Sequence, residues 1–589
     1  MSILSSSRLD LQSPVKAKAV RFQLDYNLKS LLLDFVSEKD RHLYEELLCR
    51  IRSVGQEIRD DDLTQLLKEA RGCISILDTN FRLFVQVVLI LRWAHRSTEV
   101  VEEYKGFLQE LCLAHNYYTK QVIDHLVTCF KTDNELWEDC EPNDESIKSI
   151  KNIHHVIESI LSLIPMSKEI LIASLKKNYP YIKKPSHEHE VYVYNMLLIT
   201  NYHPAIREDI FNILISKLII LDAQVPRSEL ESAMQVDDTE VFEIDDNNGV
   251  ETDAEKNPIA HSLDVSLTLI FRHIRLHCFP DSTNLDWDRT KTLYSTLIKV
   301  FETVILPTHG INHVQFLMFY LVSFKPALSI SFLQTLWKKV INPSEAPFIR
   351  HTSVFYIASI LSRAKYISVS VVQEMLTEMS KWTQSYIAGQ EDNLCFDIRL
   401  HLVFYTTCQA MFYVIAFRYK ELVEGKGLVL LQGLNLSKIV TCRLNPLRAC
   451  VPVVATHFAS VARKFQLAYC YTIMEHNARS TLPQVPADTN GTSSIALQTQ
   501  LDAFFPFDPY LLPRSYEFIE PIYREYCGSI EEAGAGGVRS LGGGEEEADE
   551  DNDDDFLDSS EIGHQQQQMA CSPNFSYSTS PGFLQMNTH

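Results

Sequence analysis

The stretch NHVQFLMFYLVSFKPALSISFLQTLWKKVINPSEAPFIRHTSVFYIASILSRAKY (312–366) decides the fold. It contains three apolar segments, 312–324, 329–341 and 347–366, which are separated only by the short linkers KPA and NPSEA. The segments have the length of ordinary helices, and the last begins at Pro347, where proline suits the first helical position. Linkers this short predict antiparallel helix pairs joined by tight turns.

The same helical pattern runs from about residue 28 to residue 477. Apolar residues recur at three- and four-residue spacing, as at Tyr104, Phe107, Leu108 and Leu111, whereas strand-type alternation is rare. Glycine is also scarce, with 19 residues in the chain, nine of them at or beyond Gly528. Tight hairpins and phosphate-binding loops depend on glycine, so the composition favours helices.

Helix pairs repeated about every 40 residues are the signature of a HEAT or armadillo α-solenoid. A compact multi-helix bundle is the alternative architecture, but a chain of 589 residues would normally split into domains. We therefore predict an all-α, HEAT/armadillo-like solenoid. Solenoids present long surfaces to other proteins, which makes a binding scaffold the expected function.

Composition and periodicity divide the chain into seven segments. They are a flexible N-terminal lead-in (1–25), N-terminal helical repeats (26–224), a disordered acidic insert (225–260), C-terminal helical repeats (261–477), a loop (478–500), a Pro/aromatic capping segment (501–527) and a disordered acidic tail rich in Gln and Ser (528–589). The prediction of disorder rests on low hydrophobicity combined with high charge.

The net charge of −22 is concentrated in two short segments. Residues 225–258 carry −9 and residues 528–563 carry −12, so the rest of the chain is close to neutral. Acidic runs of this kind are usually solvated. A nearly neutral body lacks the basic stripe of dedicated DNA-binding domains, so any DNA contact is expected to be indirect or weak.

Thirteen cysteines are scattered through the chain without a CxxC pair. An odd number in this arrangement indicates reduced thiols in the cytosol or nucleus. The first twenty residues lack the apolar core of a signal peptide, and uncharged apolar runs reach only about fourteen residues, against ~20 for a membrane span. We expect a soluble intracellular protein without membrane contact.

No phosphate-binding, zinc-protease, nucleophile-elbow or kinase motif occurs in the sequence. His273 and His277 stand one helical turn apart, but zinc needs further ligands, and the local pattern is that of an amphipathic helix. The cluster SHEHE (186–190) begins a helix, where carboxylates favour the positive end of the helix dipole. Neither feature requires a metal, and we predict a non-enzymatic protein without cofactors.

Several long blocks of sequence carry a family resemblance. They are 306–367, which includes the opening stretch, HEVYVYNMLLITNYHPAIREDIFNILISKLIILD (189–222), LNPLRACVPVVATHFASVARKFQLAYCYTIMEHN (444–477), LDAFFPFDPYLLPRSYEFIEPIY (501–523) and the short element VRFQL (20–24). With an acidic insert directly after residue 222, their order resembles the RNA polymerase I-specific transcription initiation factor family, also called transcription initiation factor IA. The resemblance covers roughly residues 20–530.

This resemblance implies a HEAT-repeat protein without catalytic activity that binds RNA polymerase I near its stalk. It also implies a second contact, with the promoter-bound selectivity (core) factor, control by protein kinases, and a nuclear and nucleolar location with shuttling to the cytoplasm. Self-association into a homodimer stays open. From the residues alone, the alternative is a general HEAT adaptor, such as a nuclear transport receptor or a phosphatase scaffold subunit.

The loop IPMSKEIL (164–171) resembles a phosphorylation-sensitive loop on the family's polymerase-facing surface. Ser167 is the hydroxyl there, whereas Met166 departs from the Ser/Thr of relatives. From the residues alone, Ser167 precedes a helix and would be an ordinary N-cap. A phosphate is tolerable at a helix N-terminus but costly inside an interface, so we expect Ser167→Asp to fold and to lose polymerase binding.

The stretch KKNYPYIKK (176–184) places four lysines and two tyrosines within nine residues. The partner-binding candidates are Lys176, Lys177, Tyr179, Tyr181, Lys183 and Lys184. Basic residues with interleaved aromatic rings suit an acidic protein surface or a nucleic acid. The alternative is a solvated loop between helices.

Five hydroxyl groups are phosphorylation candidates. Ser13, Ser572 and Ser580 each precede a proline in segments predicted to be extended, as proline-directed kinases require. Ser228 and Thr252 lie in acidic surroundings that suit acidophilic kinases.

The segment 501–523 combines four prolines with many aromatic residues. Its candidate residues are Phe504, Phe505, Phe507 and Tyr510. Pro506 and Pro509 prevent a long helix, so the aromatic rings either cap the solenoid by packing on its final helix pair or dock a partner. If they form a cap, replacing Phe504 and Phe505 by alanine costs roughly 3–5 kcal/mol; if they dock a partner, the melting curve stays unchanged and binding is lost.

Overall fold

The computed structural model describes residues 20–22, 26–39, 41–131, 137, 141–225, 257–390, 397–480, 501 and 504–526. Every regular element in these ranges is helical. Two isolated β-bridges join described residues to each other, a parallel one between Val20 and Ile58 and an antiparallel one between Ala364 and Tyr523. The all-α prediction is therefore confirmed. Residues 20–22 lie in the predicted lead-in, yet Phe22 is buried.

The chain forms two compact units. The first comprises Met1–Leu214 with Gly249–Ile270, and the second comprises Ile215–Asn248 with Phe271–His589. The division points fall inside two helices, α10 (Arg207–Asp222) and α11 (Pro258–Cys278). The second of these helices begins at Pro258, inside the segment predicted as an acidic insert.

Nine helices of the first unit precede α10 in the described ranges. They are α1 (Leu28–Val36), α2 (Arg41–Val54), α3 (Asp60–Gly72), α4 (Arg82–Leu89), α5 (Thr98–Ala114), α6 (Thr119–Thr128), α7 (Asp144–Leu163), α8 (Ser167–Asn178) and α9 (Ser186–Tyr202). Three short 3-10 turns connect some of them, as at Asn116–Tyr118.

The first unit is built from two layers of helices. Helices α3, α5, α7 and α9 pack side by side in one layer, and α6 packs against α8 in the other. Helices α8 and α9 are antiparallel. Toward the end of α8, the Leu175 carbonyl accepts a hydrogen bond from the Tyr192 hydroxyl of α9 over 2.8 Å. At the other end, Lys168 at the start of α8 lies near His203, which follows α9, and burial together with this lysine lowers the pKa of His203. Packing between elements that are close in sequence is the arrangement expected of helical repeats.

One glycine has a packing role in the first layer. Arg71 of α3 forms ion pairs with Glu103, at 3.1 Å, and Glu110, at 2.5 Å, both on α5. Its guanidinium lies over Gly106, where a β-carbon would approach the Arg71 Cζ to 2.7 Å. Gly106 thus provides the space in which α3 and α5 are joined by charge-assisted hydrogen bonds.

Eleven helices of the second unit follow α11 in the described ranges. They are α12 (Trp287–Val300), α13 (Phe316–Ser323), α14 (Pro326–Ile341), α15 (Pro347–Arg363), α16 (Val369–Ala388), α17 (Leu402–Leu422), α18 (Gly427–Gly433), α19 (Leu436–Val440), α20 (Pro446–Ala449), α21 (Pro452–Lys464) and α22 (Tyr471–Ser480). Helix α12 continues into a π-helical turn at Phe301–Ile305.

Helix α17 is the centre of the second unit. It packs against α15 on one side and α21 on the other, with α16 alongside. Its residues from Val403 to Arg418 are buried around the whole circumference, which explains why this sequence has no polar stripe. Residues 504–526 return from the end of the described chain and cover this layer.

Candidate protein-interaction site

Ser167 joins helices α7 and α8 at their tight turn. Its side chain is buried, and its hydroxyl donates to the Ile164 carbonyl over 2.5 Å, with the Ile160 carbonyl at 3.3 Å. Its N–H also donates to the Ile164 carbonyl. The hydroxyl therefore adds a second hydrogen bond to carbonyl groups at the end of α7 that already accept from the Ile164 and Ser167 N–H groups.

The N-cap interpretation of Ser167 is wrong. The N-cap position of α8 is Met166, and no side chain caps the helix there. Ser167 is the first helical residue, and its hydroxyl is directed back to α7 instead of forward to the N–H groups of α8. A phosphate cannot occupy this buried position unless the turn opens, because it would lie against two carbonyl oxygens.

We expect Ser167→Asp to destabilise the first unit by roughly 3 kcal/mol or more, since it buries a carboxylate beside carbonyl acceptors. Ser167→Ala loses only neutral hydrogen bonds and should cost about 1 kcal/mol. Urea unfolding followed by far-UV circular dichroism measures both variants. An Asp variant as stable as wild type would mean that the hydroxyl is accessible after all.

The six partner-binding candidates at 176–184 fall into two groups. Tyr179 faces the core, with its ring 5.8 Å from that of His189 and 5.3 Å from that of Tyr192. The other five are exposed, Tyr181 by 66%. Lys177 approaches Asp124 at 3.9 Å, and Lys184 forms an ion pair with Glu188 at 3.1 Å. Tyr179 therefore anchors the loop, and Tyr181 and the lysines are exposed to solvent.

Apolar side chains are also exposed at the other end of α8. Leu163 is 51% and Met166 is 75% exposed. Helix α8 has 12 residues and is therefore about 18 Å long at 1.5 Å per residue. We call the exposed residues at its two ends, Leu163, Met166, Lys176, Tyr181 and Lys183, the α8 surface. It combines an apolar end with a basic, aromatic end.

A buried hydrogen-bond network lies between α7 and α9. The His154 Nε2–H donates to the Asn195 Oδ1 and its Nδ1 accepts from the Tyr202 hydroxyl, each over 2.9 Å. The Asn195 amide donates onward to the Val191 carbonyl. Burial lowers the pKa of His154 to about 4, so the imidazole is neutral, and both its nitrogens are satisfied. The network holds the two helices together and is not arranged for proton transfer.

An open groove of about 240 Å³ adjoins this network and is lined by Ile150, His155, Leu198 and Asn201 among others. Pockets for small organic ligands usually have ~300–1,000 Å³. The groove is therefore small for such a ligand, and the exposed α8 surface is the stronger candidate for binding.

Acidification should destabilise the first unit through His154. Its folded pKa of about 4 lies below the ordinary value of 6.5, so the unfolded chain takes up the proton first. The contribution is complete above pH 6.5 and lost toward pH 4, worth up to about 3 kcal/mol. His154→Gln retains a donor and an acceptor and should reduce this dependence in urea unfolding between these pH values, while His125, whose pKa burial also lowers to about 4, still contributes. A slope identical to that of wild type would contradict the prediction.

The aromatic residues of the C-terminal segment are placed inside the second unit. Phe505, Phe507 and Tyr510 are buried, and Phe504 is half-buried. The Phe507 ring lies 4.9 Å from Phe319, and the Phe505 ring lies 4.4 Å from Tyr413. These partners belong to α13 and α17. Phe505 thus packs on α17, which lies in the last helical blocks of the sequence (385–422 and 444–477), whereas Phe507 packs on α13, much earlier in the chain, so the segment covers more than the final helix pair.

Polar contacts fasten the segment at its centre. Asp508 accepts hydrogen bonds from Arg363, at 2.8 Å from Nη2 and 3.2 Å from Nε, and both side chains are buried. The Arg363 guanidinium also lies over the rings of Phe417 and Tyr523. Burial acts against the charge of Arg363, but Tyr523, Tyr413 and Asp508 raise its pKa overall. The guanidinium therefore stays charged, and the segment that supplies its carboxylate partner belongs to the core.

A second anchor connects the segment to α10. Asp222 accepts from the His313 Nδ1–H over 2.9 Å and from the backbone N–H groups of Asn312, His313 and Val314. Burial alone would raise the pKa of Asp222, but His313 and these N–H groups lower it overall. The His313 Nε2 accepts from the Leu511 N–H at 3.4 Å.

Comparison with known families identifies the protein. The family model for RNA polymerase I specific transcription initiation factor RRN3 matches residues 28–530. The chain belongs to this family. The resemblance seen in the sequence is thereby confirmed.

Two curated RRN3-family proteins show the extent of the similarity. RNA polymerase I-specific transcription initiation factor RRN3 of Mus musculus is 36% identical over 511 residues, which cover 81% of this chain and 77% of the mouse protein. The factor rrn3 of Schizosaccharomyces pombe is 27% identical over 498 residues, covering 79% of this chain and 80% of the yeast protein.

A solved structure shows the same fold. The crystal structure of RNA polymerase I transcription initiation factor Rrn3 superposes with a TM-score of 0.67 at 23% sequence identity. The match covers 86% of this chain and 98% of the crystallised chain. The helical repeat architecture predicted from the linkers is therefore that of the RRN3 family.

The remaining sequence candidates in this RRN3-family chain fall in two places. Ser13, Ser228, Thr252, Ser572 and Ser580 lie outside the described residues. His273 and His277 stack on α11, with ring centroids 6.2 Å apart. No group of three or more metal-binding side chains occurs in the described part of the chain. Nor does any helix in that part have the length and apolarity to cross a membrane.

The sequence did not single out Asp222, His313, Arg363 or Asp508 as important. Each lies in an apolar or helical context where a single charged residue normally faces solvent. Only Asp508 had a sequence context that could have predicted its burial, because residues 504–511 around it contain two prolines and four aromatic residues. A carboxylate in such a segment needs a buried partner once the rings are packed.

Proposed function

We propose that this RRN3-family chain binds RNA polymerase I through the α8 surface and recruits it to ribosomal RNA gene promoters in the nucleus. The observation that carries the proposal is the family match over residues 28–530. The relative in mouse is named as specific to RNA polymerase I, and it is 36% identical. The α8 surface is the part of the first unit where the exposed residues suit a large protein partner.

The chemistry of the α8 surface supports a protein partner with an acidic patch. Lys176 and Lys183 take part in no ion pair among the described residues, so their charges are available to a partner. Tyr181 supplies an exposed aromatic ring, the side-chain type that most often dominates binding energy at interfaces. Leu163 and Met166 add apolar area 18 Å away, as estimated from the helix rise.

We propose that phosphorylation controls this surface through the α7–α8 turn. Ser167 is buried, so a kinase would act on it only when the turn is open. The added phosphate could not return to the space between the Ile160 and Ile164 carbonyls. The modified turn would then hold Leu163 and Met166 away from their positions on the α8 surface, which would weaken polymerase binding.

We further propose that the chain bridges the polymerase to the promoter-bound selectivity factor and concentrates in the nucleolus. The chain has two compact units, each with its own core, which supports the binding of one partner by each unit. DNA contact would then be indirect, in agreement with the near-neutral body. A general adaptor role in transport or phosphatase assembly has no comparable support from the family match.

The double substitution Tyr181→Ala with Lys183→Glu should weaken binding of purified RNA polymerase I by at least about tenfold. Both side chains are exposed, so the thermal unfolding curve should not change. Biolayer interferometry with immobilised polymerase measures the affinity, and promoter-dependent transcription from ribosomal DNA measures the functional loss.

The matched control is Ile341→Ala with Lys338→Glu, an exposed apolar residue and an exposed lysine at the end of α14 in the second unit. The control variant should bind the polymerase like wild type. Equal loss in both double variants would show a general effect of charge and would remove the α8 surface from the proposal. Unchanged polymerase binding in both double variants would likewise remove the α8 surface from the proposal.

A further inference from the structure

The second unit ends in a basic surface. Residues 419–479 contain eight Lys/Arg and three Glu, a net charge of +5, whereas the chain outside the two acidic segments is close to neutral. The basic residues used below are exposed. They are Lys420, Lys438, Arg448, Arg463, Lys464 and Arg479, and we call the surface they form the basic end.

Contacts between short helices bring these residues to one end of the unit. The Lys464 Nζ lies 5.8 Å from the ring centroid of Tyr419, which precedes Lys420 on α17. The Ser437 hydroxyl donates to the Leu467 carbonyl over 3.2 Å, which places α19 beside the end of α21. Asn445 and Asn477 exchange side-chain hydrogen bonds and connect α20 to α22.

Helix dipoles explain only part of this surface. Lysine and arginine are favoured in the last turn of a helix, and Arg463 and Lys464 end α21 in that way. The dipole does not explain why no ion pair among the described residues neutralises Lys438, Arg448, Arg463 or Lys464. Tyr469, five residues beyond Lys464, is 87% exposed. Exposed cations that no carboxylate neutralises are suited to an anionic ligand.

The described chain ends beside this surface. The Tyr526 ring lies 5.2 Å from that of Phe417 on α17, and its hydroxyl is 3.2 Å from the His457 Nδ1 on α21. Lys464 follows His457 by seven residues on the same helix, or about 10 Å at 1.5 Å per residue. Residues 528–563, which follow directly, contain thirteen acidic residues and one arginine.

We propose that the acidic segment 528–563 binds the basic end of its own chain. Because the segment starts about 10 Å from Lys464, its effective concentration at the basic end is on the order of millimolar. A separate polyanion must exceed this concentration to displace the segment. The acidic insert at 225–258 follows Asp222, which is held by residues 312–314, whereas Tyr526 contacts α17 and α21, the helices that carry Lys420 and Lys464.

Occupancy by the acidic segment has a consequence for nucleic acid. Lys438, Arg448, Arg463 and Lys464, which no ion pair among the described residues neutralises, attract any phosphate backbone without regard to sequence. The acidic segment covers these cations and so keeps the chain from binding DNA or RNA non-specifically. A partner that draws the segment away would expose them.

Zero-length carbodiimide cross-linking of the full chain, followed by mass spectrometry, tests the contact. We expect bonds between carboxylates of 545–561 and the amines of Lys420, Lys438 and Lys464. Their yield should fall at least about tenfold between roughly 50 mM and 500 mM salt, because the pairs are exposed. The ion pair between Lys339 and Glu302, at 3.3 Å, provides the positive control. Its cross-link without any from 545–561 would overturn the proposal.

A mixture of isotope-labelled and unlabelled protein separates contacts within a chain from contacts between chains. Cross-links that are mostly mixed would overturn the proposal in favour of a second copy. A charge-neutralised variant, with the acidic residues of 545–555 changed to Asn or Gln, tests the competition. It should bind a 20-base-pair DNA duplex at least about tenfold more tightly than wild type. The same neutralisation at 229–246 should have little effect, and equal DNA affinity in all three proteins would also overturn the proposal.

Discussion

Replacing Asp508 by alanine should lower the free energy of unfolding of the second unit by about 3–5 kcal/mol. The substitution removes the carboxylate that pairs with Arg363 at 2.8 Å, in a site where both side chains are almost fully buried. The guanidinium then keeps its charge without an anionic partner. The Arg524 carbonyl, at 3.3 Å, the Tyr413 hydroxyl and the rings of Phe417 and Tyr523 remain beside it, and none of them is an anion.

Two control variants show whether the loss of stability comes from the unpaired buried charge. Arg363→Met combined with Asp508→Leu removes both charges and should recover most of the stability, because an apolar replacement of a buried pair is often neutral. Glu378→Ala breaks the exposed pair with Lys381 and should leave the unfolding curve unchanged. Urea unfolding of the full chain measures all three. A loss at Asp508 no larger than at Glu378 would show that residues 504–526 are not part of the core.

Phe507→Ala should be comparably severe, at about 3–5 kcal/mol. The ring is completely buried and contacts Phe319 at 4.9 Å, Phe316 at 5.3 Å and Tyr356 at 5.6 Å. The cavity cannot collapse easily, because the Phe507 N–H is held by the Ser359 hydroxyl over 2.9 Å. The Tyr523 hydroxyl also holds the Phe507 carbonyl.

Phe504→Ala is the matched control for the same segment. Phe504 is only half-buried and stacks near His309 at 4.9 Å, so its loss should cost roughly a third as much. Thermal unfolding ranks the two variants. A larger effect at Phe504 than at Phe507 would contradict the placement of the segment. The ranking also limits partner docking by this segment to residues such as Phe504, because Phe507 is not accessible.

The helical architecture could be predicted because it depends on local features. Apolar spacing, scarce glycine and short proline-containing linkers all act within a few residues, and helix pairs in repeats contact their neighbours in sequence. Helix α17 shows the limit of this approach. It is buried on all sides, so its sequence reveals its length but not which helices cover it.

The details of the candidate sites were harder to predict because they depend on contacts across the chain. Ser167 has the residue type of an N-cap, but the turn places it one residue inside α8, where its hydroxyl reaches back to Ile164 and Ile160. Asp508 and Arg363 are separated by 145 residues, and no local rule pairs them. Tyr179 and Tyr181 differ by two positions, yet one packs on Tyr192 and the other faces solvent. This difference in burial depends on the path of the loop between α8 and α9.

The most direct test is a cross-linking map of the complex formed by the purified wild-type chain and purified RNA polymerase I. A lysine-reactive reagent should cross-link Lys176 and Lys183 to polymerase subunits, and both lysines should become protected from acetylation when the complex forms. Absence of a complex, or a complex in which these lysines stay as reactive as in the free chain, would contradict polymerase binding through the α8 surface.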